Sequence, residues 1–258
     1  MTAPLLELEA VTMQFGGLRC VSDFSLSVCE NELIGLIGPN GAGKTTVFNL
    51  VTGVYRPTAG KISFAGKSVI GHRPYRITAR GIARTFQNIR LFSSLSVFDN
   101  VRTACNMHLH HGLSHALLRG RGFDREEREI EDQITELLEI FGLSGERDLS
   151  CRALPYGDQR RLEIVRALAT RPKLLLLDEP AAGMNPTEKI ELMKLIRFTQ
   201  GKFGLAVLLV EHDMRVVMGI CERIAVLDYG KKIAEGTAQE IRHNPMVIAA
   251  YLGKEAHA

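Results

Sequence analysis

The sequence contains no long apolar run. Its longest apolar stretches, residues 174–177 and 205–210, fall far short of the roughly 18 residues that a membrane-spanning helix needs. The segment from Met1 to Glu7 has an acidic residue where a signal peptide would have a basic region. From these absences we expect a protein that stays in the cytoplasm.

Cysteine is scarce, and its spacing does not suggest pairing. The five cysteines, at positions 20, 29, 105, 151 and 221, are odd in number and include no C-x-x-C pair. This pattern argues against a disulfide framework and against a zinc site. Each cysteine is interpreted as a small apolar residue in a reducing compartment.

Neither sign of charge is in large excess. The 258 residues are 45% apolar and 24% charged, with a formal net charge of +3, which is ordinary for a globular protein. Nucleic-acid binding would call for a dense basic stripe. The arginines at 119, 121, 125 and 128 alternate instead with glutamates at 126, 127, 129 and 131. We therefore predict a solvated helix face there and no nucleic-acid partner.

One segment matches the phosphate-binding pattern G-x-x-x-x-G-K-[ST] at every position: Gly38, Pro39, Asn40, Gly41, Ala42, Gly43, Lys44 and Thr45, followed by Thr46. Its glycines allow the backbone to wrap round a phosphate chain with the N–H groups facing inward. Lys44 is expected to reach the β- and γ-phosphates, and the Thr45 hydroxyl to bind Mg²⁺. A glycine-rich turn that binds nothing is the alternative. The apolar run before the segment and the helix expected after it favour a nucleotide site.

The segment Leu174 to Pro180 reads LLLLDEP. Its leucines predict a buried parallel strand that ends in two carboxylates, which is the Walker B pattern. Asp178 is suited to hold Mg²⁺ through water, and Glu179 to orient or deprotonate the water that attacks the γ-phosphate. A strand that ends in solvated acids is the alternative, which the phosphate loop disfavours.

A second anion site is predicted where a helix begins at Tyr156 and Gly157. Apolar residues recur at helical spacing after this point, at 162, 164, 165, 168 and 169. A helix N-terminus beside a glycine attracts anions. Asp178 follows Gly157 by only 21 residues, which is too short for an easy return to the same γ-phosphate. We infer that this N-terminus caps a nucleotide held by another subunit.

With these motifs, essentially the whole chain resembles the ATP-binding subunits of ABC transporters, whose L-S-G-G-Q signature occupies this second site. The resemblance implies that Phe15 stacks on adenine and that Gln87 senses Mg²⁺ and faces a membrane partner. It also implies that Asn185 replaces the usual D-loop aspartate and that His212 contacts the γ-phosphate. Pro155 stands at the signature serine and offers neither a hydroxyl nor an N–H. Together with Asn185, it predicts a signature half that is weaker than the Walker half.

Within this family the chain is similar to the LivG type, one of the two ATPase subunits of branched-chain amino-acid importers. The segments that carry this similarity are 81–92, the tyrosine-containing signature that ends in 160–164, 179–186, 211–214 and 251–253. ATPases of urea or amide importers and of lipopolysaccharide exporters share parts of them, and a soluble ABC protein without a membrane partner is a further alternative. A P-loop GTPase or small-molecule kinase is disfavoured, because no N-K-x-D motif is present.

The resemblance implies a set of partners. Two ATPase chains close head to tail on two ATP molecules, and the second subunit is expected to be a different chain. Integral membrane permeases complete the transporter, and a periplasmic solute-binding protein acts with it indirectly. The expected location is the cytoplasmic face of the inner membrane, without a transmembrane segment in this chain.

The predicted fold is α/β, of the RecA-like P-loop NTPase type. A mostly parallel sheet core carries an antiparallel β edge, for which residues 5–15, 24–28 and 61–66 have strand patterns. Residues 93–154 are predicted to form an inserted helical subdomain between a core segment at 1–92 and a second one at 155–258. The second segment holds the signature helix, the rest of the core and the C-terminal helices.

The predicted helical subdomain also contains a histidine-rich stretch, with His108, His110, His111 and His115. Histidines at such spacings can chelate a divalent metal. No cysteine or carboxylate lies nearby, however, and the flanking glycines indicate a loop. Exposed loop residues are the default interpretation, and a metal site is the alternative.

Overall fold

The structure is a computed structural model that describes residues 3–108 and 121–255 of the 258-residue chain, without the side chains of residues 108, 121–124 and 252–255. The chain divides into two compact units, one within residues 1–84 and 173–258 and the other within residues 85–172. The histidines at 110, 111 and 115 lie outside the described residues.

The strands, in chain order, are β1 (Leu6–Phe15), β2 (Leu18–Val28), β3 (Leu33–Ile37), β4 (Ala59–Phe64), β5 (Lys67–Ser68), β6 (Ile82–Arg84), β7 (Leu174–Asp178), β8 (Ala206–Val210), β9 (Arg223–Asp228) and β10 (Lys231–Gly236). The helices are α1 (Lys44–Val51), α2 (Pro74–Ala79), α3 (Val97–Cys105), α4 (Arg121–Ile140), α5 (Tyr156–Leu168), α6 (Pro186–Phe203), α7 (Met214–Ile220), α8 (Ala238–Arg242) and α9 (Pro245–Glu255).

The first unit contains a six-stranded sheet in the order β10-β9-β3-β8-β7-β6. All neighbouring strands in it are parallel except β10, which runs antiparallel to β9. Every residue of β3, β7 and β8 is buried. Strands that are covered on both faces read as continuous apolar runs, so the leucine run of β7 follows from its central place. The predicted mostly parallel core is confirmed.

A second sheet in this unit has the order β2-β1-β4-β5 and is antiparallel throughout. It forms the predicted antiparallel edge, although β2 begins at Leu18 and not at residue 24. One apolar core joins the inner faces of both sheets and α1, with Phe24 and Phe48 among its largest fully buried side chains. This core fixes α1 against the strand that precedes it.

The second unit is helical in the part that the structure describes. Helix α3 buries Val97, Val101 and Cys105, and α4 buries Ile130 and Ile134, as expected for amphipathic helices that share a core. The unit begins before residue 93 and ends after residue 154, because it includes the segment around Gln87 and the whole of α5. The helical subdomain predicted from the sequence, residues 93–154, lies within the range of this unit.

Within the described residues, the structure contains no helix whose length and apolar character would suit it to cross a membrane. All five cysteines are free thiols, of which Cys105, Cys151 and Cys221 are buried. Burial raises the pKa of the Cys221 thiol to about 12 and also raises the pKa of Cys105. These thiols serve as small apolar packing groups.

Candidate functional site

The phosphate-binding loop connects the end of β3 to the start of α1. Gly38 and Gly43 have φ angles of +154° and +107°. A Cβ atom at Gly38 would lie 2.0 Å from the Leu227 carbonyl oxygen, and one at Gly43 would lie 2.5 Å from the Cys20 carbonyl oxygen. Glycine is therefore required at both positions, by backbone conformation and by space.

Lys44 is held inside this loop. Its Nζ donates to the carbonyl oxygens of Gly38 and Pro39, at 2.6 and 3.0 Å, and the residue is buried. The Thr45 and Asn40 side chains are exposed, and Thr46 is half-buried. At Gly41 the space where a side chain would lie contains no atom within 4 Å. An open glycine face, an ammonium and the N-terminus of α1 together suit a phosphate chain.

The Walker B strand β7 ends at Asp178, which is buried and forms an ion pair with Arg84 at 2.7 Å. The next residue, Glu179, has φ +47°, a left-handed conformation that is uncommon for a residue other than glycine. Its N–H donates to the Val210 carbonyl at the end of β8, at 2.9 Å. Strained backbone of this kind is typical of functional sites, where the surrounding structure maintains it.

His212 follows the end of strand β8 and lies beside Glu179. The His212 Nδ1 atom lies 3.6 Å from Glu179 Oε2, and this pair is ionic only when the imidazole is protonated. The preceding residue, Glu211, is buried and accepts hydrogen bonds from the Ala181 N–H at 2.9 Å and the His212 N–H at 3.3 Å. Burial raises the pKa of Glu211. Glu211 thus ties the end of β8 to the loop after β7.

Phe15 and Asn185 are two further predicted site residues of the first unit. Phe15 ends β1, is 42% exposed, and meets the Tyr55 ring edge-on with 5.1 Å between ring centres. Asn185 caps α6 through its Oδ1, which accepts from the N–H groups of Thr187 and Glu188. The amide oxygen of Asn185 is thus used in a capping box, a local role that its position before a proline indicates.

The remaining predicted site residues, Gln87, Tyr156 and Gly157, belong to the second unit. Pro155 is the N-cap of α5 and Tyr156 its first residue, and no side chain caps this N-terminus. The Arg160 guanidinium donates to the Tyr156 hydroxyl, to the Phe86 carbonyl at 2.8 Å and to the Gln87 carbonyl. Arg160 therefore connects the signature helix with the backbone at Gln87.

The buried charges of Arg160 and Glu163, to which the sequence motifs assigned no role, support this connection. Glu163 accepts from the N–H groups of Phe86 and Arg90, at 3.2 and 3.4 Å, and pairs with Arg160 at 3.3 Å. Both side chains of the pair are only 3% exposed, and burial raises the pKa of Glu163. Two charged residues within an apolar helix pattern were the signal available in the sequence.

Asp158 is a further residue without a predicted role. It lies in the first turn of α5, at the last position of the five-residue signature, where L-S-G-G-Q has glutamine. Its carboxylate pairs with Arg161 at 3.5 Å. An acidic side chain in a first turn complements the positive end of the helix, so this N-terminus already has one anion beside it.

The six-stranded sheet brings the motifs of the first unit together. The loop with Lys44 follows β3, the pair Glu211 and His212 follows β8, and Asp178 and Glu179 end β7, and these three strands are adjacent and parallel. Ligands of open parallel sheets bind beyond the carboxyl ends of the strands. Among the residues that the structure describes, no three His, Cys, Asp or Glu side chains cluster as a metal site of their own. An oxygen donor set of Thr45 and Asp178 with phosphate fits Mg²⁺.

This fold and site define a P-loop nucleotide-binding protein. The profile of the ABC transporter family matches residues 21–182, and that of the branched-chain amino acid ATP-binding cassette transporters matches residues 231–257. The chain therefore belongs to the ABC transporter family and is one of its ATP-binding proteins. The family match, together with the relatives below, confirms the resemblance read from the motifs.

Two curated relatives align over almost the entire chain. The high-affinity branched-chain amino acid transport ATP-binding protein LivG of Salmonella typhimurium is 46% identical, over 98% of this chain and 100% of its own length. The corresponding protein BraF of Pseudomonas aeruginosa is 44% identical over the same shares. A crystal structure of the ADP conformation of an ATP-binding cassette of an ABC transporter superimposes with a TM-score of 0.84, at 28% identity, over 98% of this chain and 100% of that one.

Proposed function

We propose that this chain is the ATP-hydrolysing subunit of an ABC importer for branched-chain amino acids. The relatives named for this transport are 44% and 46% identical over 98% of the chain. The C-terminal segment, residues 231–257, matches the profile of branched-chain amino acid ATP-binding cassette transporters, and this match supports the same substrate class. The single geometric observation that carries the ATPase role is the convergence of Lys44, His212 and Glu179 at three adjacent strand ends.

Each predicted site residue of the first unit has its own role in the proposed ATP hydrolysis. Lys44 and the loop N–H groups bind the β- and γ-phosphates, and Thr45 and Asp178 are the residues that would hold Mg²⁺. When bound, Mg²⁺ would supply positive charge beside the phosphate oxygens. Glu179 orients the attacking water, and His212, 3.6 Å from Glu179, contacts the γ-phosphate. Gln87 is proposed to sense Mg²⁺, a role that the family resemblance implies.

Transport requires a second chain in this proposal. Two ATPase subunits close on two ATP molecules, and the N-terminus of α5 at Tyr156 and Gly157 caps the nucleotide of the partner subunit. ATP drives closure because it binds the closed pair more tightly than the open one. Integral permeases convert closure into alternating access, and a periplasmic binding protein supplies the solute.

The N-terminus of α5 supports a partner that is a different chain. Pro155 removes the signature hydroxyl, and Asp158 adds a negative charge in the first turn, where a γ-phosphate would be bound. Two identical copies would place this weakened signature opposite both nucleotides. We therefore expect a weak homodimer with low ATPase activity and a large gain from a distinct ATPase subunit. Sedimentation with Mg-ATP tests this, and a tight, fully active homodimer would contradict it.

The transport role is tested in proteoliposomes that contain the chain, its co-purified permeases and the periplasmic binding protein. Leucine, isoleucine or valine should stimulate ATP hydrolysis and uptake, whereas urea, a short amide or lipopolysaccharide should not. Glu179→Gln should abolish turnover but retain ATP binding. Stimulation by urea or by lipopolysaccharide alone would replace the proposed substrate, and failure to co-purify with any membrane protein would refute the transporter role.

A further inference from the structure

A buried arginine connects the helix that follows the phosphate-binding loop with the end of the Walker B strand. Arg84 ends β6, and its Nη2 donates to Asp178 Oδ2 at 2.7 Å, with the two side chains 7% and 4% exposed. Its Nη1 donates to Asn49 Oδ1 at 2.7 Å, on the helix that follows the phosphate-binding loop. The guanidinium carbon lies 5.3 Å from the centre of the Phe48 ring on the same helix. One side chain thus contacts both α1 and the Walker B carboxylate.

The chemistry of these contacts requires arginine. The planar guanidinium presents several donors in fixed directions, so it can serve Asp178 and Asn49 at the same time while it stacks on an aromatic ring. A lysine ammonium would keep the charge but not this geometry. Because Asp178 is buried, its carboxylate depends on such a partner for charge compensation and for a fixed orientation.

We propose that Arg84 is a positioning residue for Mg-nucleotide binding. It holds the Asp178 carboxylate in a fixed orientation relative to α1, and therefore relative to the phosphate-binding loop. This inference rests on the proposed function, in which Asp178 holds Mg²⁺. Arg84 acts through Asp178 and not by contact with the nucleotide, as hydrogen-bond partners of metal ligands do in other sites.

The experiment compares nucleotide affinity with and without the metal. A fluorescent ATP analogue is titrated into the full chain and into Arg84→Lys, once with excess Mg²⁺ and once with EDTA. The affinity in EDTA should be unchanged, because the loop and Lys44 bind the phosphates. The gain in affinity that Mg²⁺ provides should fall by about tenfold, the lower end of the effect of substituting hydrogen-bond partners of metal ligands.

Three further variants make the result specific. Arg223→Lys alters an arginine that also bridges elements, with Glu32 at 2.7 Å, and should leave the Mg²⁺ gain unchanged. Asn49→Ala removes the hydrogen bond between Arg84 and Asn49 but leaves the contact with Phe48, so it should lower the gain in the same direction by a smaller factor. Arg84→Gln should show the largest loss, and if it does not fold, Arg84→Lys and Asn49→Ala still decide the question.

The outcomes separate this inference from the proposed function. An unchanged Mg²⁺ gain in Arg84→Lys, or an equal loss with and without Mg²⁺, would overturn the positioning role and leave the ATPase assignment intact. Absence of any Mg²⁺ gain in the unaltered chain would overturn both. A loss confined to the Mg²⁺ titrations, in both Arg84→Lys and Asn49→Ala, is the expected result.

Discussion

Replacement of Phe15 tests the adenine site quantitatively. The Phe15 side chain is 42% exposed. The Tyr55 ring packs against it edge-on, with 5.1 Å between the ring centres. A phenylalanine has about 200 Å² of surface, so this exposure leaves about 80 Å² that a base could cover. Adenine stacked on one face would cover about half of it, which at ~25 cal/mol per Å² amounts to about 1 kcal/mol.

Stacking adds about 1 kcal/mol to this burial. Phe15→Ala should therefore weaken ATP binding by about 2 kcal/mol, or about 30-fold in Kd. Phe15→Leu retains most of the apolar area and loses the stacking contribution, so its Kd should rise only about fivefold. Because a phenyl ring has no hydrogen-bonding group, it discriminates poorly between bases, and GTP should compete measurably with ATP.

Calorimetric titration of each variant with Mg-ATP measures these changes. Phe198→Ala is a matched control, because Phe198 is a 55% exposed aromatic on α6 without a predicted nucleotide contact. Thermal unfolding of each variant shows whether loss of the ring contact with Tyr55 has disturbed the fold. If Phe15→Ala binds ATP as tightly as the unaltered chain does, or if the control is equally weakened, Phe15 does not stack on adenine.

Three other predictions follow from the site and its surroundings. Lys44→Ala should weaken ATP binding itself, whereas Glu179→Gln should bind ATP normally and lose turnover in the assembled complex; equal affinity of both variants in a titration would count against the role of Lys44. The buried Cys221, with its pKa raised to about 12, should resist alkylation until the chain unfolds, whereas the half-buried Cys20 and Cys29 should react before it; mass spectrometry of the labelled peptides checks this order. Burial raises the pKa of Glu211 above its ordinary 4.5, so the folded chain takes up this proton before the unfolded chain does, and the free energy of unfolding should rise as the pH falls through the raised value towards 4.5. Glu211→Gln should remove this part of the pH dependence in urea titrations, and an unchanged pH profile would refute it.

The elements that the sequence predicted best are those whose signal is local. The apolar runs that became β7 and β8 are buried at every residue, and a central parallel strand permits little else. The glycines of the phosphate-binding loop are similarly determined, because Gly38 and Gly43 adopt φ angles that other residues rarely adopt. The ends of the strands were predicted less accurately. Strand β2 begins at Leu18, six residues before the predicted start, because its pairing with β1 continues to Phe15.

The interactions that the sequence did not reveal join residues far apart in the chain. Arg84 and Asp178 are 94 residues apart, and Glu163 bonds the N–H of Phe86 across 77 residues. From the sequence alone, each of these charged residues would be interpreted as a solvent-exposed side chain. Only the packed structure shows that it is buried and which partner compensates its charge.

The sequence by itself indicated the chemistry that is proposed for this protein, because a lysine and a threonine in a glycine-rich loop and two carboxylates after an apolar run are the residue types suited to phosphate and metal binding. Tertiary structure decided how those groups are held. The order of β3, β8 and β7 in the sheet places the motifs side by side, and burial converts Arg84 and Glu211 from surface charges into structural partners. The physical reason is that hydrogen-bonding patterns and backbone conformation are encoded over a few residues. The dielectric surroundings of a charge, by contrast, depend on every segment that packs against it.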